Sequence, residues 1–191
     1  MFMKRIFLVH GWTGRPNKDF FPWVKEKLQN EGYQVFVPEL PEPDYPKIKP
    51  WVEKIKEVVN KPQENDILIG HSLGCMGIFQ YLQTLPNNTK VNKVILIAGF
   101  EKLKNAAFDA LEDCDTFKPW REAPINYKKI KRMAKSWIAL FSDNDPFVSY
   151  EDNSEVFKDK LDTKIILVHK KSHFNQEAGI KTLPILIKLI K

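Results

Sequence analysis

The residues with the clearest chemical signature are 70–74, which read GHSLG. A short apolar run ends at Gly70, and a helix-like stretch begins directly after Ser72. The G-x-S-x-G pattern between a strand and a helix is typical of a tight turn that exposes a serine hydroxyl, because glycine fits where bulkier residues would clash. We therefore predict that Ser72 is a reactive nucleophile.

A serine hydroxyl is a poor nucleophile unless an imidazole accepts its proton and an acid orients that imidazole. The candidate bases are His10, His71, His169 and His173. Chains in which the serine lies on such a turn, called a nucleophile elbow, carry the catalytic residues in the order Ser, then Asp or Glu, then His. This order favours His173, which lies in the loop after the last predicted strand. His169, at the end of that strand, is the alternative base.

The acid is expected in the loop after the fifth predicted strand, since open α/β sheets collect functional side chains at the carboxyl ends of neighbouring strands. Residues 141–148, FSDNDPFV, fill that loop. Asp145 is the predicted acid, because Pro146 fixes the loop and Phe147 with Val148 can bury the carboxylate. Asp143 is the alternative acid, although it also fits a turn residue that caps the loop.

An acyl transfer also needs two backbone N–H donors for the oxygen that becomes negatively charged. Leu73 directly follows the nucleophile and begins a helix, so its N–H is the first predicted donor. The second is expected in residues 10–14, HGWTG, after the first predicted strand. Trp12 is the preferred donor there and Thr13 is the alternative. The pair of His10 and Gly11 would also fit an ordinary turn at a strand end.

Apolar runs of strand length alternate with amphipathic stretches of helix length along the chain. This alternation is typical of βαβ units, and it predicts an α/β fold whose parallel strands are buried on both faces. The predicted strands are residues 5–10, 33–38, 66–70, 93–98, 136–141 and 163–168. The predicted helices are residues 20–30, 50–60, 73–84, 150–161 and 179–190.

The segment 100–135 interrupts this rhythm, because it is far longer than the usual connection of about two to six residues. We predict that it holds short helices that form a small lid over one edge of the sheet. Its aromatic residues either pack the lid onto the body or line a substrate pocket: Phe100, Phe108, Phe117 and Trp120. The residues predicted to contact substrate are Trp12, Phe100, Trp120 and Phe147.

The composition predicts a single domain over residues 1–191, with 43% hydrophobic and 28% charged residues. Cys75 and Cys114 are too few for a disulfide framework, and neither belongs to a zinc-binding pattern, so we predict free thiols and no metal or cofactor. Apolar runs are far shorter than a membrane span, which needs about 20 residues. Because the first residues also lack the features of a signal peptide, we expect a cytoplasmic protein without membrane contact.

The formal net charge of +6 raises the possibility of a nucleic-acid partner. However, the 30 basic residues are interspersed with 24 acidic ones, which favours a solvated surface. Residues 128–132, KKIKR, form the densest basic run and are the alternative polyanion site. We therefore predict no nucleic-acid partner.

The motifs together resemble those of the α/β-hydrolase superfamily, and within it the small serine hydrolases of the retinoblastoma-binding-protein and YdeN type. They are HGWTG, GHSLG, PW…INYKKI, SDNDPFVS and SHFN, and they cover nearly the whole chain. The resemblance implies a three-layer αβα sandwich with six parallel strands in the order 2-1-3-4-5-6, the minimal form of the fold. It also implies that Ser72, Asp145 and His173 form the triad. The chain departs from the family pattern at Ser172, where glycine is usual, and at Cys75, where a small residue is common.

The predicted function is hydrolysis of a small ester, thioester or amide through an acyl-enzyme. With only a small lid, the acyl pocket is expected to be short, so that acetate and butyrate esters are preferred. The alternative from another functional class is a protein-interaction module that retains a vestigial triad, since the fold hosts both enzymes and binding proteins.

Overall fold

A computed structural model of the chain describes residues 4–104 and 115–191. At its centre lies a sheet of six strands, all parallel, in the order β2-β1-β3-β4-β5-β6. The strands are β1 (Arg5–Val9), β2 (Gln34–Phe36), β3 (Ile67–His71), β4 (Val91–Ile97), β5 (Ala134–Ser142) and β6 (Lys164–Val168). The predicted α/β class and strand order are therefore confirmed.

Helices connect the strands and cover the sheet. In the described residues they are α1 (Phe21–Asn30), α2 (Ile48–Val59), α3 (Leu73–Thr84), α4 (Lys118–Glu122), α5 (Tyr127–Lys131), α6 (Tyr150–Leu161) and α7 (Pro184–Ile190). A 3₁₀ turn, Gln176–Ala178, follows the last strand. No helix in these described ranges is long and apolar enough to cross a membrane.

Alternate residues of each central strand enter two separate hydrophobic clusters. In β1, Phe7 and Val9 pack into a cluster with residues of α2, α3 and α6. Ile6 and Leu8 pack into the opposite cluster with residues of α1 and α7. Because successive side chains of a strand point to opposite faces, this alternation means that helices cover both faces of the sheet. The result is the predicted three-layer αβα sandwich.

The two outer strands are less buried than the apolar runs predicted. Every residue of β3 is buried, whereas none of β6 is, and β2 exposes Gln34. The difference arises because β2 and β6 lie at the edges of the sheet, where the flanking helices cover them only in part.

The last helix starts later than the sequence pattern predicted. Helix α7 begins at Pro184 and not at Gly179. Gly179 adopts a φ of +77° and ends the preceding 3₁₀ turn, a conformation that glycine adopts without strain. Pro184 suits the first turn of the helix, since it lacks the N–H that would otherwise need a partner. The prediction for residues 179–183 was therefore wrong.

The predicted lid segment contains α4 and α5. Helix α4 is attached to the body through Trp120, whose indole N–H donates to the carbonyl oxygen of Pro46 over 2.8 Å and whose ring packs edge-on against Trp51. Phe108 and Cys114 lie outside the described residues. The lid and the single-domain organisation stay predictions.

Candidate active site

Ser72 occupies the sharp turn between β3 and α3, as the G-x-S-x-G pattern predicts. Its backbone has a φ of 52° and a ψ of −124°, a combination that non-glycine residues rarely adopt. The turn leaves no space at Gly74, where an added Cβ would lie 2.4 Å from the carbonyl oxygen of Val9. The tight packing of the helix start against β1 therefore explains why this position is glycine.

The structure brings the three predicted catalytic side chains into one chain of hydrogen bonds. The Nε2 atom of His173 lies 2.8 Å from the Ser72 hydroxyl oxygen, and its Nδ1 atom lies 2.9 Å from Oδ2 of Asp145. The other oxygen of Asp145 accepts the backbone N–H groups of Phe147, at 2.9 Å, and Val148, at 3.0 Å. Because a carboxylate only accepts hydrogen bonds, the His173 proton is assigned to Nδ1, which leaves Nε2 to accept the serine proton.

The alternative acid and the alternative base pair with each other and not with Ser72. Oδ2 of Asp143 lies 2.6 Å from Nδ1 of His169, and both side chains are exposed. The hydrogen bond from the Lys170 N–H lowers the pKa of the Asp143 carboxyl, and the contact with His169 adds to the effect. Asp145, in contrast, is buried beside His173.

Among the described residues, the backbone N–H groups of Leu73 and Trp12 have no hydrogen-bond partner, so both stay candidate donors to an oxyanion at Ser72. Leu73 is the first residue of α3, so its N–H has no partner within the helix. The N–H of Thr13, the alternative donor, is already bonded to the carbonyl oxygen of Pro43 over 2.8 Å. The N–H of Trp12 makes no hydrogen bond to the described protein residues. Of the two candidates in this loop, Trp12 is thus the one that can donate to a ligand.

The loop that carries Trp12 is pressed against the nucleophile. An added Cβ at Gly11 would lie 2.9 Å from the Cβ of Ser72, so only glycine permits this approach. The buried ring of His10 makes two hydrogen bonds that hold this loop in place. Its Nδ1–H donates to the carbonyl oxygen of Gly11, and its Nε2 accepts the backbone N–H of Leu40 over 3.2 Å. Burial lowers the pKa of His10, which favours the neutral ring that this pattern requires. His10 is therefore more than the ordinary turn residue that the sequence also allowed.

The histidine inside the elbow motif, His71, contacts the backbone of the predicted base. His71 is buried, and its Nε2–H donates to the backbone carbonyl oxygen of His173 over 2.8 Å. Its ring lies edge-on to Phe20 and Phe21. Burial, and next the neighbouring charge of His173, lower the pKa of His71 to about 3. The ring is thus neutral at physiological pH.

A cavity of about 290 Å³ opens beside the Ser72 hydroxyl. Its described lining is mostly apolar and consists of Trp12, Thr13, Ser72, Leu73, Phe100, Leu103, Phe117, Phe147, His173, Asn175 and Glu177. It includes three of the four predicted substrate contacts. Trp120, the fourth, is buried against Trp51 and does not appear in this lining.

A smaller, polar cleft of about 60 Å³ also borders Ser72 and shares part of its lining with the larger cavity. Lys18 and Asp19 line it together with Asn175 and Glu177. The sequence interpretation missed these residues and also Leu103. Asn175 and Glu177 could have been noticed, because they follow the predicted base by two and four positions. Lys18 and Asp19 reach the cleft from a loop far away in sequence, which no motif marks.

A metal centre is not formed by the described residues. Within residues 4–104 and 115–191, no group of three or more His, Cys, Asp or Glu side chains is placed to hold an ion. Cys75 is buried beneath the elbow, and burial raises the pKa of its thiol. This thiol is therefore held in its protonated, unreactive form.

The chain is similar to known proteins over nearly its whole length. The family model described as "Serine hydrolase" matches residues 6–191. The chain belongs to the serine hydrolase family. YdeN of Bacillus subtilis, described as a hydrolase, is 26% identical over 98% of this chain and 94% of its own length. The serine hydrolase RBBP9 of Rattus norvegicus is 25% identical over 87% of this chain and 79% of its own length.

Solved structures show the same fold. The crystal structure of YdeN from B. subtilis superposes with a TM-score of 0.88 at 25% identity, covering 98% of this chain and 97% of that one. Est1E of Butyrivibrio proteoclasticus, solved with ferulic acid bound, superposes with a TM-score of 0.73 at 14% identity. The match covers 98% of this chain and 86% of Est1E. The resemblance to YdeN-type serine hydrolases is therefore confirmed, and the α/β-hydrolase fold with it.

Proposed function

We propose that this serine hydrolase cleaves small esters, thioesters or amides through a Ser72–His173–Asp145 triad. The observation that carries the proposal is the continuous hydrogen-bond chain from the Ser72 hydroxyl through His173 to the buried Asp145. Such a chain activates a serine, because the imidazole accepts the proton and the carboxylate stabilises the resulting positive charge.

In the proposed reaction, Oγ of Ser72 attacks the substrate carbonyl carbon while its proton passes to Nε2 of His173. The carbonyl oxygen becomes an oxyanion and accepts the N–H groups of Leu73 and Trp12. His173 then returns the proton to the leaving alcohol, thiol or amine as the bond to the acyl carbon breaks. A water molecule, deprotonated by His173, releases the acid from the acyl-enzyme and restores the serine.

The surroundings of Ser72 support a small substrate with one apolar part. Phe100, Leu103, Phe117 and Phe147 surround the cavity, and its volume of about 290 Å³ suits a short acyl chain. We expect p-nitrophenyl acetate and butyrate to be cleaved with a higher kcat/KM than the C8 ester. A preference for the C8 ester would contradict this size limit.

The triad is tested with Ser72→Ala, His173→Ala and their double variant. Each single change is expected to lower kcat for p-nitrophenyl acetate by about 10⁴- to 10⁶-fold, and the double variant little further, since the groups act as a unit. Asp145→Asn is expected to cost about 10⁴-fold, because the amide favours the wrong imidazole tautomer. Asp143→Asn is the matched control with little effect. More than a tenth of the activity in Ser72→Ala would refute the proposal.

The interaction-module alternative predicts a different outcome in the same samples. A fluorophosphonate probe should label wild type at Ser72 and leave Ser72→Ala unlabelled. If the folded wild type is neither labelled nor active on any of these esters, the triad is vestigial and the enzymatic proposal fails.

A further inference from the structure

The loop that carries His173 has an unusual backbone. Lys170, Ser172 and Phe174 all have positive φ angles, of 55°, 46° and 56°. A residue with a Cβ is disfavoured in this left-handed region by about an order of magnitude in population. The sequence supplies no glycine within residues 169–174 to relieve the strain. Other contacts must therefore hold this loop.

Those contacts come from the end of β5 and the loop that follows it, where the side chains of residues 142–144 accept three consecutive backbone N–H groups. Asp143 Oδ1 accepts from Lys170 over 2.8 Å, and the Ser142 hydroxyl accepts from Lys171 over 2.9 Å. Asn144 Oδ1 accepts from Ser172 over 2.8 Å. We name these three side chains the loop clamp.

The members of the loop clamp are also coupled to one another. The Ser142 hydroxyl donates to Oδ1 of Asn144 over 2.9 Å. This oxygen therefore binds the Ser172 amide directly and is linked to the Lys171 amide through the Ser142 hydroxyl. The next residue along, Asp145, binds the ring of His173 itself. Residues 142–145 therefore bind residues 170–173, four successive residues of the loop that carries the base.

We propose that Asn144 is a positioning residue for the general base, and that it acts by holding Ser172 in its left-handed conformation. This inference rests on the proposed triad. Asn144 is exposed and is not among the residues that line the two clefts at Ser72, so we expect it to act through the base loop and not on substrate. Its effect must reach the reaction through the distance between His173 and Ser72.

The proposal is tested with Asn144→Ala, measured with p-nitrophenyl acetate. Removing the acceptor leaves the Ser172 amide and the Ser142 hydroxyl without this partner. We expect kcat to fall about tenfold, the change that corresponds to one lost hydrogen bond, while KM changes less than twofold. Asn144→Asp keeps the acceptor oxygen and should retain kcat within about threefold of wild type at the alkaline plateau of its pH profile. Asn87→Ala controls for loss of an exposed asparagine elsewhere.

A second change separates positioning from a general loss of stability. Glycine adopts the left-handed conformation without steric strain, so Ser172→Gly reduces the need for the clamp. In the Asn144→Ala background, Ser172→Gly is expected to restore kcat to within about threefold of wild type. If kcat of Asn144→Ala equals that of wild type, or if Ser172→Gly restores nothing, the positioning role is overturned.

Hydrogen exchange keeps this test independent of the enzymatic proposal. Asn144→Ala should increase the hydrogen-exchange rate of the Ser172 amide and leave the rates of the β3 amides unchanged. Asn144→Asp should leave the rate of the Ser172 amide as in wild type. If wild type has no Ser72-dependent activity but the Ser172 amide responds in this way, the triad proposal fails while the clamp stands. If the amide does not respond, the clamp itself is refuted.

Discussion

Mild acid is expected to destabilise the fold through His71. Its buried ring has a pKa of about 3, whereas an unfolded chain would protonate the same ring at about 6.5. Between these two values the unfolded state binds more protons than the folded state, so stability falls as the pH falls. Below about pH 3 the ring is protonated in both the folded and the unfolded state, so the stability lost through His71 increases no further.

The size of the effect follows from the same two pKa values. Each pKa unit corresponds to about 1.4 kcal/mol, so the difference between 6.5 and about 3 gives a ceiling of about 5 kcal/mol. Over the accessible range, from pH 7 to pH 5, linkage predicts a loss of about 2 kcal/mol from this one group.

The assay is urea unfolding of wild type and His71→Asn at pH 7, 6 and 5. The variant lacks the titrating ring, so its free energy of unfolding should decline by about 2 kcal/mol less than that of wild type over this range. Burial also lowers the pKa of His10, but His10 is present in both proteins and its contribution cancels. Equal declines in the two proteins would show that His71 is not the group responsible.

Two further changes test how the body supports the site. Trp120→Ala should lower the free energy of unfolding by about 3–5 kcal/mol, as for other buried aromatic residues. The order of kcat/KM for C2, C4 and C8 esters should stay unchanged. An altered order with an unchanged Tm would instead assign the ring to the substrate pocket. Asp66→Ala removes a buried carboxylate that binds Arg5 through two hydrogen bonds of 2.8 and 2.6 Å. Breaking this pair should cost about 3–5 kcal/mol in urea unfolding, and a loss below about 1 kcal/mol would contradict the importance of the pair.

The features that the sequence predicted well depend on residues close together in the chain. The bounds of α3 and α6 follow from local periodicity and match the prediction residue for residue. The elbow at Ser72 follows from two glycines at fixed spacing. The sheet order and the position of the elbow together bring the carboxyl ends of β3, β5 and β6 to one edge, which accounts for the proximity of Ser72, Asp145 and His173.

The features that it missed depend on contacts between distant segments. The bond from the Leu40 N–H to His10 joins the loop after β2 to the loop after β1, and no local pattern marks either end. The same holds for the loop clamp, where the acceptors precede their partner amides by 27 to 29 positions. The role of Trp120 was left open for a related reason, since an aromatic residue fits a pocket wall and a buried anchor equally well until its neighbours are known.

The backbone of Ser72 bears on how this chain has been shaped by selection. A serine at a φ of 52° costs stability on the order of 1–3 kcal/mol, and glycine in its place would relieve that cost. Random mutation under selection for folding alone would therefore favour glycine at this position. In the proposed triad, this residue therefore trades stability of the fold for a reactive hydroxyl.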